Sequence, residues 1–373
     1  MKKILLDQMI LTTCCPTNAG SKMLENFTSL FDATVVEKLK AAGYEIAGKL
    51  PVGEFAIDLV GESCFAGADK ASAAAKALEN DTVTAHIAFD VNGAPRRVAA
   101  QNDLVFVKPT YGTVSRFGTV PVACSGECVG VMAKSAADCR EVLCSIVGKD
   151  DRDGTMHADE VCKTSANGVE KALKRVAVLK MEADADVTAK IEAAKANMAA
   201  NGIEIVEIDA GVIATANVAW NILMCAELCN NVSRYDGIKY GYRTKNYKTL
   251  DELYTNSRTE AFGALLKSAI LYGSDALSTK NYMAKYDKAM RVRRVIVEAF
   301  AKIFGEFDAV LLPATSKNAY TGADSAFEEN KYTAPASITG LPAVVAAGVQ
   351  LMGPAFSDGA LLDLAALLAK EGK

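Results

Sequence analysis

Histidine and tryptophan are nearly missing from this chain: His86, His157 and Trp220 are the only ones among 373 residues. With so little imidazole and no Cys-x-x-Cys pair, a structural zinc site has no ligand set, and no metal is expected. Ten cysteines in a chain this long are too dilute for a disulfide scaffold and suit packed thiols in a reducing compartment. Cys225 and Cys229 fall on one face of a helical pattern, and Cys124 and Cys128 share that spacing. Neither GxxxxGK[ST] nor GxGxxG occurs, so nucleotide chemistry and a nucleotide cofactor are not indicated. An excess of either charge is also lacking, with 41 Lys and Arg against 45 Asp and Glu. Such a chain has no overall pull toward nucleic acid or anionic membrane. Arg291, Arg293 and Arg294 form the tightest basic cluster, on what reads as a solvated helix face.

Long apolar runs are wanting too. The stretch near Pro342 to Phe356 is broken by Gly and Pro and is too short to span a bilayer. Met1 to Leu6 imitates a signal peptide and Leu11 to Cys14 a lipoprotein site, but Asp7 and Gln8 interrupt the run early. A cytoplasmic protein is the expectation. No repeat and no Pro- or Ser-rich linker divides the chain, which predicts one domain over residues 1–373.

Helical periods alternate with short β-branched runs. Val35, Val36 and Leu39 share a stripe over Thr34 to Ala42; Gly43 ends that helix, and Tyr44 to Ala47 reads as a strand. Val187, Ile191, Ala194 and Met198 predict a helix stopped at Gly202, followed by an alternating strand over Ile203 to Ile208. Arg175 to Met181 and Ala309 to Pro313 are further strands, and Asp358 is placed to cap a last helix running to Ala369. Strands separated by helices predict an α/β layer fold around a mostly parallel or mixed sheet.

Five segments, in order along nearly the whole chain, resemble the A subunit of the tRNA-dependent amidotransferases, a branch of the amidase-signature family. They are Ser21 to Phe27 (SKMLENF), Asp32 to Leu39 (DATVVEKL), Val107 to Gly118 (VKPTYGTVSRFG), Ser233 to Arg243 (SRYDGIKYGYR) and Gly348 to Gly353 (GVQLMG). The resemblance implies a single α/β/α sandwich around a large mixed sheet. It implies glutamine hydrolysis by a serine nucleophile, a second serine and a lysine, with the ammonia passed to a partner that amidates Glu-tRNA(Gln) or Asp-tRNA(Asn). The family activity is that of a glutamine-hydrolysing glutaminyl-tRNA synthase. Its partners would be the B and C subunits, and no cofactor is implied.

The positions that would carry this chemistry hold other residues. The family nucleophile closes a Gly-Gly-Ser-Ile-Arg turn; here the turn is Asn92-Gly93-Ala94-Pro95-Arg96, with Ala94 in the serine's place. A methyl group can neither attack a carbonyl nor pass a proton. The relay serine aligns with Ala68 and the lysine with Leu6, which precedes Asp7-Gln8-Met9. The groups that would hold glutamine align with Trp220, Ala269 and Asn330. Against the family, the chain also lacks an N-terminal helical region, a stretch before Gly67 and a loop between Val345 and Gly348.

Three readings follow: a non-catalytic relative acting as a scaffold, a working enzyme with relocated groups, or a decaying gene product. Relocation would draw on Ser72 with Lys70 and Asp69, although Ser72 also suits a helix cap. Cys64 reads as a packed thiol. Lys108 to Gly112 reads as a structural turn, with Tyr111 and Arg116 packing and pairing inside the fold. Arg234, Tyr235, Tyr240, Tyr242 and Arg243 have the composition of an interface anchor, or equally of an internal network. Loss of the N-terminal region would expose apolar surface and favour self-association.

Overall fold

Short apolar segments from both halves of the chain, buried on both sides, form the centre of a ten-stranded mixed sheet. The structure, a computed structural model, describes residues 2–66, 71–167 and 173–369, with side chains throughout except at 71–74. The strands are β1 (Lys3–Asp7), β2 (Glu45–Leu50), β3 (Ala85–Asp90), β4 (Val105–Lys108), β5 (Cys128–Ala133), β6 (Arg175–Lys180), β7 (Glu204–Asp209), β8 (Ala309–Pro313), β9 (Ala343–Ala346) and β10 (Val349–Met352). They lie in the order β2-β1-β3-β5-β4-β9-β10-β8-β6-β7. Pairing is parallel at the two flanks and antiparallel through the centre, from β3 to β8. β7 is an edge, and its Glu204, Glu207 and Asp209 keep that edge polar.

Alternation along β3 separates the two faces. Ile87 and Phe89 join Val142 and Leu143 of helix Ala136–Ile146 and Leu361 of helix Asp358–Ala369 in one core. Ala88 joins Val98 and Ala99 of helix Ala94–Gln101 and Leu78 of helix Ala71–Glu79 in a second core on the other face. The sheet therefore lies between two helical layers, the α/β/α sandwich that the resemblance implies.

Helix Ala216–Val232 packs against helices Ala264–Leu277 and Lys288–Ile303. A Cβ at Gly273 would lie 2.0 Å from the Cys225 carbonyl oxygen, so the helices Ala216–Val232 and Ala264–Leu277 approach closely through a glycine. The span Gly211–Val232 is long and apolar enough to cross a membrane by length and composition, and half of its most apolar window is buried inside the fold. The longest apolar stretch by sequence, residues 342–356, instead contains the β9–β10 hairpin. Its two-residue turn puts Ala347 at φ 47° and Gly348 at φ 74°, the twist that joins adjacent antiparallel strands most tightly.

Two local expectations are corrected. Tyr44 lies just outside its strand, which begins at Glu45. Asp358 opens the last helix, but its carboxylate accepts from the Thr110 N–H and hydroxyl, both at 2.7 Å, and from Ser165. The last helix is thereby tied to the Lys108–Gly112 turn.

Candidate functional site

Strand β3 runs into the helix Ala94–Gln101 through Val91, Asn92 and Gly93. Gly93 sits at φ 84°, and a Cβ there would lie 2.4 Å from the Thr333 side chain, so only glycine fits the turn. The turn is held by charge. Asp90 Oδ2 accepts from Arg96 Nε at 2.7 Å and Oδ1 from Arg96 Nη2 at 3.2 Å, and both side chains are fully buried. Arg96 also donates to the Thr333 carbonyl (2.7 Å), Gln350 Oε1 (3.0 Å) and Ser337 Oγ (2.8 Å). Gly93 N–H donates to Asp90 Oδ1 at 3.0 Å, which engages a backbone donor that could otherwise face a developing oxyanion.

This arrangement brings Ala94 to the helix N-terminus, half-buried, at the edge of a small cavity of about 50 Å³. Asp7, Asp58, His86, Gly53 and Met132 share the lining. Leu6 lies beside this cavity's Asp7 on β1, fully buried, with Lys49 of β2 and Ile87 of β3 as its strand partners. Ala68, Asp69 and Lys70 lie outside the described residues, as does the side chain of Ser72. Cys64 is buried.

The cavity carries a buried pair that the sequence motifs did not mark. His86 Nε2 stands 2.6 Å from Asp7 Oδ1, and Asp7 Oδ2 accepts from the Phe89 N–H at 2.7 Å. With Nε2 donating to Asp7, Nδ1 of His86 is left buried without a partner among the described residues. The available signal was Asp7 itself, a carboxylate ending an apolar strand, because a buried charge needs an opposite group. Asp58 faces the same space. Burial pushes its carboxyl up to about 7, the Glu62 charge adding to the rise while hydrogen bonds from Ser63 oppose it.

Trp220, Ala269 and Asn330 are all buried, and each sits on or against helix Ala216–Val232. Asn330 Nδ2 donates to Asn92 Oδ1 (2.8 Å) and Asn221 Oδ1 (2.6 Å), which joins it to the Gly93 turn. Trp220 fills the space left by Gly126, where a Cβ would lie 2.3 Å from the indole ring.

Two of the recognised segments meet at the surface. Residues 23–27 and 241–246, with Glu260, line an open groove of about 950 Å³. Tyr242 N–H donates to the Met23 carbonyl (2.7 Å), its hydroxyl to Glu260 (2.8 Å), and the Lys22 ammonium stands 4.4 Å over its ring. Arg234, Tyr240 and Arg243 are exposed, whereas Tyr235 is buried, its ring 5.6 Å from that of Phe55. Tyr235 thus belongs to the core and not to any outward anchor. In the Lys108–Gly112 turn, Lys108 is buried and donates to the Leu341 carbonyl at 3.0 Å, Tyr111 donates to the Cys124 carbonyl at 2.6 Å, and Arg116 pairs with Glu127 at 2.9 Å. Cys124 is in a loop and Cys128 in β5, so their spacing is not helical.

The sequence pattern of the amidase family matches residues 4–362. The chain belongs to the amidase family. It is 37% identical to the glutamyl-tRNA(Gln) amidotransferase A subunit of Acinetobacter baumannii, over 93% of this chain and 78% of that protein. The protein of the same name from Latilactobacillus sakei is 36% identical over 94% of this chain and 78% of its own length. The crystal structure of the glutamyl-tRNA(Gln) amidotransferase A subunit from Thermotoga maritima superposes with a TM-score of 0.80 at 26% identity, covering 98% of this chain and 82% of that one. Kluyveromyces lactis allophanate hydrolase shares the fold, with a TM-score of 0.82 at 22% identity over 98% of this chain and 61% of that one. Within the amidase family this chain is accordingly similar to the amidotransferase A subunits, and Ala94 stands at the helix start that follows its β3 turn.

Proposed function

We propose that this chain is a pseudoenzyme, a non-catalytic relative of the amidotransferase A subunits whose role in tRNA-dependent amidation is to bind and scaffold. The observation that carries the reading is the Ala94 methyl at the mouth of a cavity of about 50 Å³. Ligand sites that enclose a substrate are commonly some 300–1,000 Å³. Asn330 supports it, since its amide is bonded to Asn92 and Asn221 and offers no charge to a free amino acid. The partners would be the B and C subunits of the same cytoplasm, met through the groove beside Tyr242. Leu271 (72% exposed) and Met283 (63%) add a route to self-association.

The test is ammonia release from glutamine by the purified chain, alone and with B and C subunits, alongside co-purification. A stable complex without ammonia release is expected. Release well above a protein-free blank would overturn the reading. A second reading, a working enzyme with relocated groups, draws on the Asp7–His86 pair beside the cavity, and it requires an activity that His86→Ala abolishes.

A further inference from the structure

Beyond β1 the chain runs through Thr12-Thr13-Cys14-Cys15-Pro16-Thr17, and both thiols lie on the outside of the fold. Cys14 is exposed and Cys15 half-buried. Their sulfur atoms stand 3.0 Å apart. The loop that carries them is pinned on both sides. Thr12 Oγ1 and the Thr13 N–H each donate to Asp32 Oδ1 at 2.8 Å, and the Thr17 N–H donates to the Phe27 carbonyl at 2.9 Å. Two ammonium groups flank the pair: Lys40 pairs with Asp32, and Lys49, half-buried, donates to Thr17 Oγ1.

This setting divides the two thiols chemically. Burial acts to raise the Cys14 thiol, but the contacts of its sulfur with Cys15 and Thr12 and the charges of Lys40 and Lys49 outweigh it and hold Cys14 below the ordinary thiol value. Cys15 is pushed up to about 11, by burial first and then by Cys14. Of the two sulfurs, Cys14 is the more readily ionised and the more open to solvent. That is the division between an attacking and a resolving thiol.

We propose that Cys14 and Cys15 form a redox-sensitive vicinal dithiol that a hydroperoxide converts reversibly to an internal disulfide. The Cys14 thiolate attacks the terminal oxygen of the hydroperoxide. The O–O bond breaks, and the alkoxide leaves as an alcohol, taking up the proton that Cys14 had released. Cys14 becomes a sulfenic acid. Cys15 then attacks Cys14 Sγ, the S–O bond breaks, and the hydroxyl leaves as water with the Cys15 proton. Two thiols lose two electrons in all, and one hydroperoxide is reduced to one alcohol and one water. Adjacent Cα atoms are about 3.8 Å apart, closer than the roughly 4.4–6.8 Å that disulfides prefer. The ring is consequently strained, and thiol reductants reopen it easily. The inference concerns a loop outside the Ala94 turn and holds whether or not the chain hydrolyses glutamine.

The experiment exposes the purified chain to hydrogen peroxide, blocks remaining thiols with an alkylating agent, and maps the peptides by mass spectrometry. The expected result is a Cys14–Cys15 peptide that is two hydrogens lighter, unalkylated, and restored by dithiothreitol. In Cys15→Ser the reaction should stop at a Cys14 sulfenic acid that dimedone traps. In Cys14→Ser, Cys15 should oxidise at least tenfold more slowly. Lys49→Met should slow Cys14 alkylation at pH 7 several-fold without changing the circular dichroism spectrum. The proposal is overturned if both thiols stay alkylatable while Cys124 or Cys144 oxidises first, if the wild type stops at sulfenic acid, or if Cys14 instead cross-links two copies.

Discussion

Arg96 is buried completely, yet every donor group on its guanidinium finds an acceptor: two contacts to Asp90, one each to the Thr333 carbonyl, Gln350 and Ser337. Replacing Asp90 by Asn keeps the shape and removes the charge. The guanidinium then stays buried with no counter-ion, a change that costs about 3–5 kcal/mol. Asp90→Ala should cost more, because Gly93 also loses its acceptor and an unpaired buried N–H adds about 1–3 kcal/mol. Removing both charges together, as in Asp90→Asn with Arg96→Met, should cost less than the two single changes added, since neither charge is left alone. Urea titration followed by fluorescence reads this directly, because Trp220 is the one tryptophan and is fully buried. With a slope of roughly 3 kcal/mol/M, Asp90→Asn should lower the midpoint by about 1 M or more. A loss below ~1 kcal/mol for both single variants would refute the claim that this pair holds the Gly93 turn in place.

Ala94→Ser should yield no glutamine hydrolysis above the wild-type background, because Leu6 supplies no base to activate the hydroxyl; a gain of about tenfold or more would contradict the reading. Asp58 should make stability depend on pH. Its folded value of about 7 lies above the ordinary 3.8, so its contribution is full below 3.8, falls as pH rises, and is gone above about 7. Between pH 5 and 7 the wild type should therefore lose up to ~1.4 kcal/mol per unit relative to Asp58→Asn, and parallel profiles for the two would sink the assignment. Gly273→Ala places a methyl 2.0 Å from the Cys225 carbonyl oxygen and should destabilise by about 1–3 kcal/mol, read as a drop in Tm; an unchanged Tm would mean the two helices can part without cost.

How far the sequence carries depends on how local the determinant is. The strand Ala309–Pro313 matches its reading to the residue, because a buried strand shows as an unbroken apolar run. The stop at Gly202 matches too, at φ 79°, where glycine ends a helix. Tyr235 was not separable from Tyr240 by composition, since inward or outward facing depends on where Phe55 lies. The same holds for Asp358, whose side chain answers to Thr110 and Ser165 far away in sequence and not to its own helix end. Asp7 was readable as an oddity, but its partner His86 is 79 residues away and belongs to the neighbouring strand.

On the non-catalytic reading proposed above, the Gly93 turn explains why a loss of chemistry would not disturb the fold. A residue at the first position of helix Ala94–Gln101 makes no helical hydrogen bond through its side chain, and alanine is the best helix former. A serine at that position would add one hydroxyl at the edge of the cavity, and Ala94 leaves the helix and the Asp90–Arg96 pairing intact. Asp90, Arg96 and Gly93 are different. Each satisfies a buried partner or fits a φ that other side chains avoid, so each is held in place by stability whatever happens to the reaction. On the same reading the chain would keep the strand, turn and helix and present only a methyl group at the helix start. Matches to the surrounding motif therefore speak for the fold, and the single position at the helix start speaks for the chemistry.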